Sequence, residues 1–229
     1  MKTNEIIYAI REGLKEYVDD TKYTDDYLMY LVRLNRAVFI RREYNNQQRI
    51  IDTEIIQNIF MDVEEVDDEE CGKYIFCNNG CSLIRTVKPI PFTLELHNKN
   101  LIMSIRSAER NVTIPFNIIT PEKAIYAGEG QYEKRQIFAI PHSDGHIYFK
   151  SKHNIHRGLE AVIVSAVFEN PDDAAQFKCG TKPCYDIVED RYPCKAWMEA
   201  LIINTVIEKL APLKALPRDE VNNSNDDNG

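Results

Sequence analysis

Residues 159–171, with the sequence LEAVIVSAVFENP, form the most apolar and β-branched run in the chain, and they decide how it folds. The run is too short to cross a bilayer, and a short block rich in Val and Ile is typical of a buried strand. Pro171 has no N–H and restricts Asn170 to extended or turn geometry, so the strand is predicted to end there. The apolar side chains that dominate the run offer no catalytic group, which is a first indication about function.

An antiparallel sheet is predicted around this strand. Its other strands alternate apolar and polar residues, and they are expected at 57–66, 82–88 and 101–106. Pro115 reduces 111–119 to an edge strand or an irregular connection, because proline cannot donate to a strand ladder. Several short strands at close spacing indicate a sandwich or a small barrel.

A hairpin gives the clearest local signal in the sequence. Asp144 and Gly145 stand between two apolar runs, and this pair favours a two-residue type I′ turn, which needs positive φ at both positions. The turn is predicted to pair 135–142 with 146–152.

The best-marked helix follows Thr24, whose hydroxyl is a good N-cap. Arg41 and Arg42 fall in its last turn, where positive charge is favourable, and the polar stretch 45–48 is expected to break the chain after it. The apolar stripe of this helix contains Tyr27, Tyr30, Leu31, Leu34 and Val38.

Two further helices are predicted near the ends of the chain. One covers 4–18, and the other opens at Pro193 and runs to about residue 210, where Pro212 and Pro217 are expected to end it. The fold class is therefore α+β, with a helical bundle of two N-terminal helices plus the C-terminal helix and an inserted antiparallel β-sandwich or small barrel.

Four parts of the chain are expected from this layout. The first is helical, the second is the β-sandwich insertion, the third is a loop with the C-terminal helix packing on the N-terminal helices, and the last is a mobile polar tail. In order, these parts are predicted at 1–50, 51–170, 171–211 and 212–229.

Composition narrows the class of protein. A chain of 229 residues can bury a real core, and its net charge of −8 argues against non-specific binding to nucleic acid or to anionic membrane. Charges throughout the first 17 residues leave no apolar signal region, so synthesis in a reducing cytoplasm is expected. The six cysteines are then predicted to be free thiols.

The cysteine and histidine groups are interpreted as ordinary loop residues in preference to metal ligands. The spacings within the two cysteine groups do not match the paired Cys-x2-Cys knuckles of structural zinc sites, so these are expected to be loop cysteines. The groups are Cys71, Cys77 and Cys81, and Cys179 with Cys184. Four histidines around the hairpin are close enough in sequence to bind a metal, but no carboxylate or cysteine shares their spacing. They are His142, His146, His153 and His156.

No motif of a known catalytic class is found. The Gly128-Glu129-Gly130 stretch lacks the third glycine and the strand–helix context of a dinucleotide loop. The sequence contains no Gly-x-Ser-x-Gly elbow, His-Glu-x-x-His pair or P-loop. The residues therefore predict no catalytic site, no cofactor-binding site and no metal site.

Several segments in order resemble one family. They are NEIIYAIREGLKEYVDD, DDYLMYLVRLNRAVFIRRE, LIRTVKPIPFTLEL, VTIPFNIITPEKAIYAG, GHIYFKSK, AVFENPDDAAQF and YPCKAWMEALIINTVIEKLA. Together they resemble the virion ring proteins of crAss-like bacteriophages, over nearly the whole chain. No single motif is diagnostic, and the resemblance rests on the ordered combination.

The resemblance implies a structural role without catalysis. Such a protein is expected to form a ring of about twelve copies at the head-to-tail connector, beneath the portal, as the adaptor or tubular tail proteins of short-tailed phages do. Its partners would be other copies of itself, the portal protein and neighbouring tail or ring proteins, with genomic double-stranded DNA passing through unbound. The location implied is the virion, after assembly in the host cytoplasm.

Alternatives to this position remain. The chain is also compatible with another neck or tail ring of the same virion, or with a metal-binding enzyme or regulatory module built on its Cys and His groups. Interface residues are predicted on the second helix, on the C-terminal helix and on the tail. They are Arg36, Arg41, Arg42, Trp197, Leu201, Leu213, Leu216 and Arg218.

Overall fold

The structure is a computed structural model that describes residues 1–15, 23–47, 51–67, 74, 83–97, 99–109, 114, 116–128, 130, 132–133, 135–152 and 155–214. The chain separates into two units. The helical unit consists of Met1–Glu43 with Ile187–Gly229, and the sheet unit consists of Tyr44–Asp186. Residues 171–186, expected to lead into the helical part, therefore cluster with the sheet.

Four α-helices lie in the described part of the chain, and three of them are long. They are α1 (Thr3–Lys15), α2 (Asp25–Gln47), the single-turn α3 (Pro121–Ala124) and α4 (Ala196–Lys214). The predicted N-cap of α2 is confirmed, since the Tyr27 amide donates to the Thr24 hydroxyl at 3.3 Å. The predicted polar break at 45–48 is wrong at its first residues, because α2 continues to Gln47. Tyr44, in the last turns of the helix, is buried.

The C-terminal helix differs from its prediction at both ends. It begins at Ala196 rather than at Pro193, with the Met198 and Glu199 amides donating to the Lys195 carbonyl. It also continues past Pro212 to Lys214. A proline so close to a helix end removes only one of the last backbone bonds, which explains why it does not stop the helix.

Close packing joins α1 to α4 in the helical unit. Ile6, Ile10 and Leu14 recur on one face of α1 and are buried. A side chain at Gly13 would place its Cβ 2.4 Å from the Ile207 Cδ1 atom. The glycine lowers helix propensity by about 1 kcal/mol, and it leaves room for α4.

Eleven strands are described, and seven of them form one sheet. They are β1 (Gln57–Glu65), β2 (Ile84–Thr86), β3 (Glu95–Leu96), β4 (Lys99–Asn100), β5 (Ile102–Ser107), β6 (Phe116–Ile118), β7 (Ile137–Pro141), β8 (Ile147–Lys150), β9 (Ala161–Ala166), β10 (Lys178–Cys179) and β11 (Lys182–Pro183). The order in the sheet is β5-β9-β1-β2-β8-β7-β6, while β3–β4 and β10–β11 are separate pairs.

The sheet is mostly antiparallel and nearly closed. Only the pairing of β6 with β7 is parallel, and β6 lies at the end of the sheet, as expected for the segment around Pro115. The two end strands, β5 and β6, also approach one another. The α+β fold class with a barrel-like inserted sheet is therefore confirmed.

Strand β9 lies in the core of the sheet unit, as the opening stretch predicts. It pairs with β1 on one side and with β5 on the other, and the side chains of Val162, Val164 and Phe168 are fully buried. The strand stops before the predicted end. Asn170 caps a short 3-10 helix that starts at Pro171, with its side chain accepting from the Asp172 amide.

The hairpin between β7 and β8 is confirmed, but its turn is of a different type. The His142 amide donates to the His146 carbonyl, and the Gly145 amide donates back to the His142 carbonyl. The loop therefore has three residues, with Gly145 at φ +83° in the left-handed region. A glycine in this position is typical of a type I turn followed by a bulge, which replaces the predicted type I′ turn.

A disulfide joins Cys179 to Cys184 across the β10–β11 pair, so the prediction of free thiols is wrong for these two residues. The Phe60 amide of β1 also donates to the Cys184 sulfur at 3.4 Å. Cys194 is a free, buried thiol. Cys71, Cys77 and Cys81 lie outside the described residues.

Reducing this disulfide should lower the free energy of unfolding by about 2 kcal/mol, the cost expected for releasing a short closed loop. Thermal unfolding with and without a reductant measures the effect. The double variant Cys179→Ser, Cys184→Ser is the control, and it should match the reduced protein in both conditions. Equal unfolding midpoints for the oxidised and reduced protein would show that the link does not constrain the chain.

Candidate functional site

One face of α2 is both apolar and exposed. Its four large side chains are spaced by three, four and four residues, so they follow one line along the helix. They form the stripe called here the α2 stripe: Tyr27 (40% exposed), Tyr30 (57%), Leu34 (44%) and Val38 (50%). Exposed apolar groups in such a row mark a surface that another molecule covers.

The other faces of α2 are buried, which explains why the sequence alone mislocated its contacts. Leu28, Val32 and Ile40 are fully buried in the helical unit. Only Leu31 of the predicted apolar stripe joins them. The signal is visible in retrospect, because YLMYLVRL carries more apolar residues than one helix face can hold.

Arg36 lies inside the helical unit rather than on its surface. Its side chain has no exposed area, and its Nε donates to the Pro193 carbonyl at 2.8 Å. The guanidinium also stands over the Tyr192 ring, 6.0 Å from the centroid. Arg36 therefore helps to hold the segment before α4, and it is not available to a partner.

A second exposed apolar row lies on α4. Trp197 and Leu201 are one turn apart and are 44% and 43% exposed. Exposed Ala200 lies beside them, and together these three residues are called the α4 stripe. On the opposite side of α4, four residues are buried in the helical unit: Met198, Ile202, Val206 and Leu210.

Opposite charges continue the two stripes towards the C-terminal ends of their helices. Arg42 is exposed four residues after Val38, and Glu208 is exposed seven residues after Leu201. Neither makes an ion pair with any residue in the described ranges. Arg41 is partly buried and has a partner within the chain.

The structure describes less of the remaining predicted interface residues. Leu213 belongs to α4, but its side chain is not described. Leu216 and Arg218 lie outside the described residues. The structure therefore supports Arg42, Trp197 and Leu201 as exposed positions and adds the α2 stripe to them.

Polar groups gather at the β7–β8 hairpin in the sheet unit. The Tyr148 hydroxyl donates to Asp144 Oδ2 at 2.6 Å and shares a hydrogen bond with the Tyr74 hydroxyl at 2.7 Å. His142 Nδ1 lies 3.3 Å from Asp144 Oδ2, while His146 Nδ1 contacts the Thr86 carbonyl at 2.7 Å. Each of the two histidines thus has a partner within the fold.

Protonation in this cluster follows from its surroundings. Burial, together with the bonds to Asp144 and Tyr74, raises the pKa of Tyr148 above its ordinary value. Burial opposes ionisation of Asp144, but hydrogen bonds from Tyr148 and the His146 amide, with the nearby imidazoles, lower its pKa overall. A protonated phenol donating to an ionised carboxylate is a stable structural pair.

An open cleft of about 650 Å³ lies beside this hairpin. The exposed Phe92 and the chain around Pro89 form one wall, and the hairpin residues around Asp144 form another. The side chain of Phe177 also lines it, with the Lys88 ammonium 6.0 Å from the ring centroid.

Metal binding finds no support among the residues that are described, where no group of three or more His, Cys, Asp or Glu side chains is placed to hold an ion. Of the predicted histidine group, His156 is buried with its Nδ1 atom 2.8 Å from the Ser151 hydroxyl, and His153 is not described. Burial, followed by the charge of Glu199, raises the pKa of the Cys194 thiol to about 11, so this thiol is unreactive.

None of the helices in the described ranges is both long and apolar enough to cross a bilayer.

Two comparisons with known proteins both point to phage ring proteins. A family model described as phage tail ring protein 2 matches residues 5–228. A curated relative, "Ring protein 2" of Bacteroides phage crAss001, is 26% identical over 233 residues, which cover 99% of this chain and 98% of the relative.

Proposed function

Because the chain belongs to the phage tail ring protein 2 family, we propose that its copies form a closed ring at the head-to-tail connector of the virion, beneath the portal. The family is one of structural ring proteins of phage tails, so the chain is a virion structural ring protein of a crAss-like phage. The position within the connector is the proposal.

The observation that carries this proposal is the pair of exposed stripes on α2 and α4. Six of the large apolar side chains exposed in the described chain lie on these two helices. Tyr and Trp are enriched at protein interfaces, and both stripes contain them. A cyclic ring needs two different contact surfaces on every copy, one for each neighbour, and two stripes on separate helices can supply them.

Charge supports passage of the genome through such a ring. Each copy carries a net charge of −8, and a ring multiplies this acidic excess. Acidic walls repel DNA phosphates, so DNA would slide through without being held. The proposed neighbours are the portal protein above, other tail or ring proteins below, and copies of the same chain at the sides.

The mass of the purified chain, alone and mixed with the portal protein of the same phage, tests the proposal. We expect the mixture to contain a ring-sized complex, measured by light scattering, whether or not the chain assembles alone. A chain that stays monomeric in both conditions would contradict a ring beneath the portal. A ring that forms alone but ignores the portal would place the protein elsewhere in the tail.

A further inference from the structure

We propose that the α2 stripe of one copy packs against the α4 stripe of the next copy, with the two helices parallel and Arg42 of one copy paired with Glu208 of the other. This inference rests on the proposed ring, and it names the two surfaces that join its copies. The occupant of each stripe is thus a second copy of this chain.

The first argument is that the stripes match in length and in the order of their side chains. Tyr30, Leu34 and Arg42 span about 18 Å along α2, and Trp197, Leu201 and Glu208 span about 16 Å along α4, at 1.5 Å per residue. In both helices a large aromatic comes first, a leucine follows four residues later, and the charge comes about two turns after the leucine. A parallel pairing therefore sets aromatic beside aromatic and leucine beside leucine.

Charge decides the direction of the pairing. In the parallel arrangement the basic end of the α2 stripe meets the acidic end of the α4 stripe, and both side chains gain a partner that the described chain does not supply. The antiparallel arrangement would bring Glu208 to the start of α2, close to Asp26 and to Asp25, which already pairs with Arg11. Like charges placed in contact disfavour that orientation.

The geometry of a ring excludes the simplest alternative, in which each stripe pairs with itself. Self-pairing of one face gives a two-fold dimer, whereas head-to-tail contacts between two different faces propagate and close into a ring. Self-pairing of the α2 stripe in parallel would also set Arg42 against Arg42. The two stripes are complementary to each other and not to themselves.

Cysteine cross-linking tests this pairing. Leu34→Cys and Leu201→Cys occupy matching positions, so the double variant should give disulfide-linked multimers when oxidised by air in the presence of the portal protein. A mixture of the two single variants should give linked dimers under the same conditions. The unsubstituted chain is the control for its native cysteines. We expect the linked fraction to rise from the control level to the larger part of the protein.

The single variants separate the possible outcomes. Each alone should stay at the control level, because a head-to-tail contact never brings two copies of one stripe together. A linked dimer from Leu34→Cys alone would overturn the pairing in favour of a two-fold contact. A ring-sized complex without any link would overturn the pairing and leave the proposed ring intact. Loss of the ring-sized complex as well as the link, in protein that is still folded, would count against the pairing and against the proposed ring.

Charge exchange is an independent measurement. Arg42→Glu and Glu208→Arg should each weaken the association of copies by roughly fivefold, and the two together should restore it, because the pair is then rebuilt with its signs reversed. If the double variant loses as much association free energy as the two single variants added together, Arg42 and Glu208 are not in contact.

Discussion

Replacing Leu34 with aspartate should give a folded chain that no longer joins a ring. The residue lies at the middle of the α2 stripe and is already 44% exposed in one copy, so the charge costs the isolated fold little. At a covered interface it would cost several kcal/mol, because a carboxylate without a partner is taken out of water. We expect each contact between copies to weaken by about 100-fold or more.

Light scattering of the Leu34→Asp variant with the portal protein gives the result, and circular dichroism verifies that the helices are kept. Tyr8→Asp is the matched control, since Tyr8 is an exposed aromatic residue on α1, outside both stripes. Ring formation by Leu34→Asp at the level of the control would remove the α2 stripe from the interface. Loss in both variants would indicate a broader contact surface.

Replacing Arg36 with alanine should lower the free energy of unfolding by about 3 kcal/mol, although Arg36 contributes nothing to the surface of the protein. The substitution deletes a buried side chain, leaves the Pro193 carbonyl without its donor and removes the contact with Tyr192. For a chain of this size the melting temperature should fall by roughly 6–12 °C.

Urea unfolding of Arg36→Ala measures this loss against two comparisons. Arg42→Ala, at an exposed arginine of the same helix, should stay within about 0.5 kcal/mol of the parent chain. Arg36→Met keeps much of the volume and loses only the polar contacts, so it should fall between the two. Equal stability of the Arg36 and Arg42 variants would contradict the structural role of Arg36.

The order of helices and strands follows from the sequence because its signals are local. The Thr24 cap, the Asp144-Gly145 turn and the apolar run at 159–171 each act within a few residues, and each lies where the structure has a helix start, a hairpin or a buried strand. The exact helix ends were missed. Tyr44 is buried and its hydroxyl donates to Asp52 Oδ2 at 2.9 Å, and α2 continues past it into a polar stretch that local propensity disfavours.

The candidate site was only partly accessible to sequence reasoning. Trp197 and Leu201 are predicted at an interface and are exposed, whereas Arg36, whose charge suggests a surface position, is buried. A helix with apolar residues on every side does not reveal which side meets its own unit. Tertiary packing decides that for α2, and Leu34 and Tyr30 are identified as surface residues only once Leu28 and Val32 are seen to fill the interior.

The near closure of the sheet affects how well the protein resists aggregation before it is built into a particle. Open strand edges recruit extended segments of other chains, and this is a common start of aggregation. Here the end strands β5 and β6 approach one another, so the sheet is nearly closed. Copies that accumulate before assembly are therefore expected to offer few open strand edges of the main sheet for strand exchange.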